Sequence, residues 1–245
     1  ILIAASLYFY KYFIYNLKKK YPKLLIDNQL SKPQAFHESP TSTAGGLLIF
    51  FSFLIGLFYY FLFKKIIFLE YFIFTLPIFF IGFADDLKIN IKPKIRLFLM
   101  VIFLIISISY NNFYIENTGV EFLNNWMINS KIFSLFFVTV CFLFIINGAN
   151  LIDGYNGLLS IHSLFILLNL FFINFLNSNY DLANLLFYQV VLLIIFLKYN
   201  FPKASIFLGD GGSYFLGIFI SLSTIQTSIA NPDISPFYFC ILLFY

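Results

Sequence analysis

Residues 45 to 63 read GGLLIFFSFLIGLFYYFLF, with no charge and scarcely a polar group, and runs of this kind recur along the chain. About 20 apolar residues in a helix cross the hydrocarbon of a bilayer, and inside lipid a backbone must satisfy its own hydrogen bonds. The runs therefore predict membrane-spanning helices near 1–17, 45–63, 66–84, 96–110, 131–147, 158–176, 182–199 and 212–230, with a ninth opening at about 236. The expected fold class is an all-α, polytopic integral membrane helical bundle, a single domain over 1–245. Composition agrees, since 61% of residues are hydrophobic and 11% charged, whereas a soluble domain has about half and about a quarter. The chain opens on Ile1 inside an apolar run and closes on FYFCILLFY, which reads as a fragment truncated at both ends.

Successive connections must alternate between the two sides of the membrane, and the basic residues sort accordingly. Lys18, Lys19, Lys20, Lys23, Lys32, Lys88, Lys92, Lys94, Arg96, Lys198 and Lys203 lie at the odd-numbered connections, eleven of the 15 Lys and Arg. The positive-inside rule makes that side cytoplasmic, in an inner membrane. Topology thus accounts for the net charge of +4, and nucleic acid is not an expected partner. Cys141 and Cys240 sit inside apolar runs, which argues against a disulfide framework or a thiolate metal site. On the opposite side, NNFYIENTGVEFLNNW alternates apolar residues about an Asn-Thr-Gly turn, and a small external β-hairpin is expected there.

Asp85, Asp86, Asp153 and Asp210 all fall at odd connections, as do His37 and the Asn cluster. Adjacent carboxylates such as Asp85 and Asp86 stay ionised only beside a cation or several donors. Mg²⁺ suits them, as it is bound by one or two carboxylates together with substrate phosphates. Lys88, Lys92, Lys94 and Arg96 follow at once and would attract a phosphate, although a solvated helix end would read the same. Asn147, Asn150, Asp153 and Asn156 recur every third residue, on one helical face or on a tight turn eased by Gly154 and Gly157. Asn offers both donor and acceptor for a sugar hydroxyl or a base edge. Asp210 stands between Gly209 and Gly211 before an apolar helix, where it is a cap or part of an anion site with Ser213. His37, Pro40 and Thr41 precede Gly45 and Gly46 at the start of the second span.

Carboxylates for a metal, bases for phosphate and amides for a polar head group, all at one face of a lipid-embedded bundle, suit phosphoryl transfer. That chemistry rests on positioning and charge neutralisation and needs no Ser-His-Asp set. The segments PQAFHESPT, DDL, NGANLIDGYNGL and FLGDGGS, in this order between Pro33 and Gly217, resemble the cytoplasmic motifs of the polyprenyl-phosphate N-acetylhexosamine-1-phosphate transferase family, glycosyltransferase family 4. PQAFHESPT is closer to the branch that transfers N-acetylglucosamine phosphate or a related sugar than to the muramoyl-pentapeptide branch.

The resemblance implies a UDP-N-acetylamino sugar donor, a polyprenyl phosphate acceptor, UMP as product, Mg²⁺ or Mn²⁺ as cofactor and a role in cell-envelope polysaccharide synthesis. By position, Asp85 or Asp86 would activate the lipid phosphate, with Asp153 also in a catalytic role, and Asp210 together with Asp85 would hold the metal. His37, Lys88, Asn147, Asn150 and Asn156 would bind substrate, and Phe207 would stack on uracil. A homodimer is left open. Two departures stand out: Asn156 replaces an acid usual in the family, and the family's His-rich loop lies beyond the ninth span. The competing class is a transporter with an acidic ion site, which would place acids at mid-membrane rather than at one face.

Overall fold

The structure, a computed structural model, describes residues 8, 12, 25–27, 41–64, 68–89, 91–115 and 117–244. The expected first span and His37 therefore lie outside the described residues, apart from Tyr8 and Tyr12 of that span, both helical. Two short antiparallel strands, β1 (Ile26–Asp27) and β2 (Thr41–Ser42), lead into α1 (Gly45–Tyr59), which continues as a π-helical turn, Tyr60–Lys64. Then come α2 (Leu69–Asp86), α3 (Pro93–Asn111), α4 (Glu121–Asn129), α5 (Lys131–Ile152), α6 (Leu158–Leu176), α7 (Tyr180–Asn200), α8 (Gly209–Ala230) and α9 (Pro236–Phe244).

Among the described residues, six helices have the length and apolar content to cross a membrane, namely α1 with its π turn, α3, α5, α6, α7 and α8, and the chain is a multi-pass membrane protein. α2 has Glu70 at one end and Asp85 and Asp86 at the other, leaving a shorter apolar stretch between them. Local signals set the boundaries: Pro93 opens α3 at its first position, where a missing N–H is harmless, and Ser130 caps α5 by accepting from the Phe133 N–H at 3.2 Å.

α8 is the axis of the bundle. Every residue from Gly211 to Thr224 is buried, so this helix is enclosed on all sides, with its most extensive contacts to α2 and then α5, α1 and α6. Aromatic rings fill the seam between α1, α2 and α8: Phe50 stacks on Phe79 at 4.0 Å, and Phe53 meets Phe215 at 5.2 Å and Phe219 at 5.4 Å. At the start of α1 the backbones come closer still. A Cβ on Gly46 would lie 2.3 Å from the Gly212 Cα, so both positions exclude any side chain.

The expected hairpin is not formed. Residues 117–120 do make a turn, with the Asn117 side chain accepting from the Gly119 N–H at 2.9 Å, but the chain then enters α4. Phe122 and Trp126, four residues apart, pack edge to face at 6.0 Å, and Trp126 meets Phe133 at 5.4 Å. That helical pairing outweighs the two-residue alternation.

Candidate active site

Three connections, at residues 87–89 with 91–92, 153–157 and 201–208, meet at one end of the bundle. α2 ends at Asp86, and Lys88 adopts a left-handed backbone with φ +60° while its N–H bonds to the Asp85 carbonyl. The chain thereby reverses tightly enough to bring α3 back beside α2, with Arg96 one turn into the new helix. The segment before α8 is laid against β2 and the start of α1: the Phe207 N–H donates to the Ser42 carbonyl, and the Gly45 and Gly46 N–H groups donate to the carbonyls of Phe207 and Leu208.

Consecutive residues on a helix point about 100° apart, and Asp85 and Asp86 diverge in this way. The Asp86 carboxylate accepts from the backbone N–H groups of Asp210 and Gly211, both at 2.9 Å, and so caps α8 from another helix. The group that caps this helix terminus is therefore a side chain of the protein itself, and burial, which outweighs the two N–H bonds, pushes its carboxyl up to about 7. Gly209 is required here: its φ is +77°, and a Cβ would fall 2.6 Å from the Asp86 Oδ1. Asp210 is not the cap. It sits in the first turn, with its side chain 40% exposed and turned toward α3 and α5.

Asp210 Oδ1 accepts from Asn150 Nδ2 at 2.9 Å, and the same amide donates to Ser213 Oγ at 2.9 Å. Arg96 Nη1 forms an ion pair with Asp85 and lies 3.4 Å from Asp210 Oδ2. Its guanidinium also stands 5.6 Å from the centre of the Tyr214 ring, so one cation links α2, α3 and α8. Asp153, the residue that ends α5, faces the same cluster: burial pushes its carboxyl well above the usual carboxylate range, and the charges of Asp210 and Asp86 push the same way.

The predicted site residues thus fall into two groups. Asp85, Asp86, Asn150, Asp153 and Asp210 come together, and Asn147 lies one turn deeper on α5, donating to its own helix at the Leu143 carbonyl at 2.7 Å. Asn156 lies beyond the end of α5 and donates to the Pro202 carbonyl at 3.2 Å, away from the shared face that the spacing suggested. Lys88 is exposed on the reversing turn, and Phe207 is half-buried three residues before Asp210. The sequence places Arg96 in a basic run for phosphate and Ser213 in an anion site, whereas they meet Asp85 and Asn150, and a further residue, Asn200, carries no expectation. The buried Asn200 accepts from the Gly157 N–H at 2.6 Å and donates to the Ile206 carbonyl at 2.9 Å, pinning one site loop to the next. An Asn at the last position of a helix facing two loops is the signal that was available.

No group of three or more His, Cys, Asp or Glu is arranged as a complete metal cage among the described residues. Asp85 and Asp210 nonetheless converge on one cation, and two carboxylates completed by substrate oxygens is a donor set that Mg²⁺ accepts. An apolar cavity of about 670 Å³ between α5, α8 and α9, lined by Phe137, Val140, Ile225 and Ile229 among others, lies toward the other end of the bundle.

The glycosyl transferase family 4 model matches residues 68–228, which contain every residue of this cluster. Among curated relatives, the chain is 33% identical over 204 residues to a phospho-N-acetylmuramoyl-pentapeptide-transferase of Dictyoglomus turgidum, covering 78% of this chain and 61% of the relative. It is 32% identical over 211 residues to the protein of that name from Prochlorococcus marinus subsp. pastoris, covering 79% and 57%. A third, from Helicobacter pylori, is 32% identical over 172 residues, covering 60% and 48%. The chain therefore spans less than two thirds of the length of these relatives.

Proposed function

The chain belongs to glycosyl transferase family 4, and from that premise we propose that the protein of which it forms part transfers an N-acetylamino-sugar 1-phosphate from a UDP-sugar to a polyprenyl phosphate, releasing UMP. An oxygen of the lipid phosphate attacks the phosphorus that carries the sugar, the bond to the bridging oxygen breaks, and UMP departs, leaving a lipid-linked sugar diphosphate. The observation that carries this reading is the meeting of Asp210 with Asn150 and with the Arg96–Asp85 pair, from four different helices, at one end of the bundle. Acids at mid-membrane would favour an ion pathway; acids at an end favour chemistry between a water-soluble donor and a lipid acceptor. The site would face the cytoplasm, where the donor is, across the inner membrane.

Mg²⁺, held by Asp210 and Asp85, would neutralise charge on the donor diphosphate. Geometry separates the two adjacent acids. Both oxygens of Asp86 are engaged by α8 N–H groups, which makes it the group that holds Asp210 in place. Asp85 shares its cation with Asp210 and is the better candidate to meet the lipid phosphate. Asn150 would orient Asp210 and read the donor, Asp153 would line the nucleotide-sugar site opposite it, and Lys88 and Phe207 would bind the phosphates and the uracil. The relatives carry the name of the muramoyl-pentapeptide branch, whereas PQAFHESPT resembles the other one, so the sugar is to be found by trial.

The test uses the full-length protein in detergent with polyprenyl phosphate and Mg²⁺, following UMP release from UDP-N-acetylglucosamine, UDP-N-acetylmuramoyl-pentapeptide and other UDP-N-acetyl sugars. Release that requires both the lipid and the metal is expected with one donor. Release from none of them, or release indifferent to lipid, would contradict the proposal.

A further inference from the structure

The acid cluster contains Asp85, Asp86, Asp153 and Asp210, and among the described residues Arg96 is the cation that ion-pairs within it. Asp86 is compensated by two N–H groups of α8. Asp85 and Asp210, on different helices, are instead drawn together by a single guanidinium nitrogen, Arg96 Nη1. Two carboxylates turned toward one point repel unless a cation occupies it, and here the occupant is a side chain. The Arg96 side chain is only 21% exposed, and the face of Tyr214 supports its guanidinium from α8, so this position is built rather than incidental.

We propose that the Arg96 guanidinium is the resident cation of the acid cluster, held where a divalent metal ion would bridge Asp85 and Asp210, so that guanidinium and metal compete for the same carboxylate oxygens. The inference rests on the reading that these two acids form the metal site. In the empty protein Arg96 keeps α2, α3 and α8 in register against the repulsion of the acids. With a metal bound there, the long, flexible side chain would be displaced from the two carboxylates. Arg96 is a positioning residue in this account, and the competition tunes how much metal the protein requires.

The experiment measures Mn²⁺ binding to the full-length protein in detergent, without nucleotide or lipid, from the electron paramagnetic resonance signal of free Mn²⁺. Arg96→Gln and Arg96→Ala are expected to bind Mn²⁺ more tightly than the unsubstituted protein, by about fivefold, the scale of one partly exposed ion pair removed from competition. Arg96→Gln keeps the bulk and a hydrogen-bond donor, so it reports even if Arg96→Ala does not fold. Unchanged or weaker Mn²⁺ binding in a folded Arg96→Gln protein would overturn the proposal, since a merely structural arginine loosens the acid pair when removed. Mn²⁺ binding left intact by Asp210→Asn would overturn the metal assignment itself, a different failure that the same measurement separates from the first.

Discussion

The two ends of α8 contact α2 and neighbouring helices through opposite kinds of polar group. Toward its C-terminus the contacts are largely neutral. Ser223 Oγ lies 3.0 Å from the Tyr71 hydroxyl, Thr227 Oγ1 accepts from Asn174 at 2.8 Å, and Gln226 donates to Glu70 at 2.8 Å. Each joins two helices within the protein, as expected of interhelical polar contacts in a membrane, which contribute on average about 0.6 kcal/mol. Toward its N-terminus, Asp85, Asp86, Asp153 and Asp210 face, among the described residues, one guanidinium, two backbone N–H groups and the Asn150 amide. Charge there is left over, and Asp210 remains open to solvent. One end of the helix is tied shut; the other is built to receive a cation and a substrate.

The sharpest break of this comparison is Asp85→Asn. It removes one of the two carboxylates that share a cation, and turnover is expected to fall on the order of a thousandfold, the scale of losing one preorganised group at a reacting phosphate. UMP release is the measurement, with a circular dichroism melt confirming the fold. Asp86→Ala tests a different link: it leaves the first turn of α8 without its cap, which is expected to cost about 1–2 kcal/mol of stability, read as a lower unfolding temperature, with turnover falling as Asp210 loses its position.

Asp153→Asn separates function from stability. Its carboxyl is raised, so the folded protein holds a proton that the unfolded chain releases at lower pH. The residue's contribution is therefore neutral in acid and becomes unfavourable as pH rises from the usual carboxylate range toward the raised value. Asp153→Asn is expected to stabilise the protein at neutral pH, to leave it unchanged in acid and to lower turnover; melts at both pH values together with UMP release check this. At the tied end, Tyr71→Phe is expected to cost about 1 kcal/mol or less and to leave UMP release and Mn²⁺ binding as they were. A large loss of turnover there would erase the distinction between the two ends.

Apolar runs made the helices legible, because lipid leaves a spanning chain little alternative, and the order of the motifs identified the end at which the acids gather. The division of labour within DDL was not legible. Adjacent letters look alike in sequence, yet helical geometry sends Asp85 to α3 and Asp86 to α8. Arg96 was hidden for a related reason: within KPKIR it is one base among several, and only the reversal at Lys88 brings it, rather than Lys92 or Lys94, onto the acids. The region expected to be a hairpin forms a turn followed by a helix: its Asn-Thr-Gly turn is real, and the Phe122–Trp126 spacing marks the helix that comes after it.

The central claim is that Asp210, at the open end of α8, holds the metal that the transfer requires. The most direct test follows UMP release by the full-length protein against Mn²⁺ concentration, for the unsubstituted protein and Asp210→Asn side by side, with saturating polyprenyl phosphate. The account predicts that Asp210→Asn needs far more Mn²⁺ for any residual release and never reaches the unsubstituted rate. Overlapping Mn²⁺ curves with equal maximal rates would contradict it.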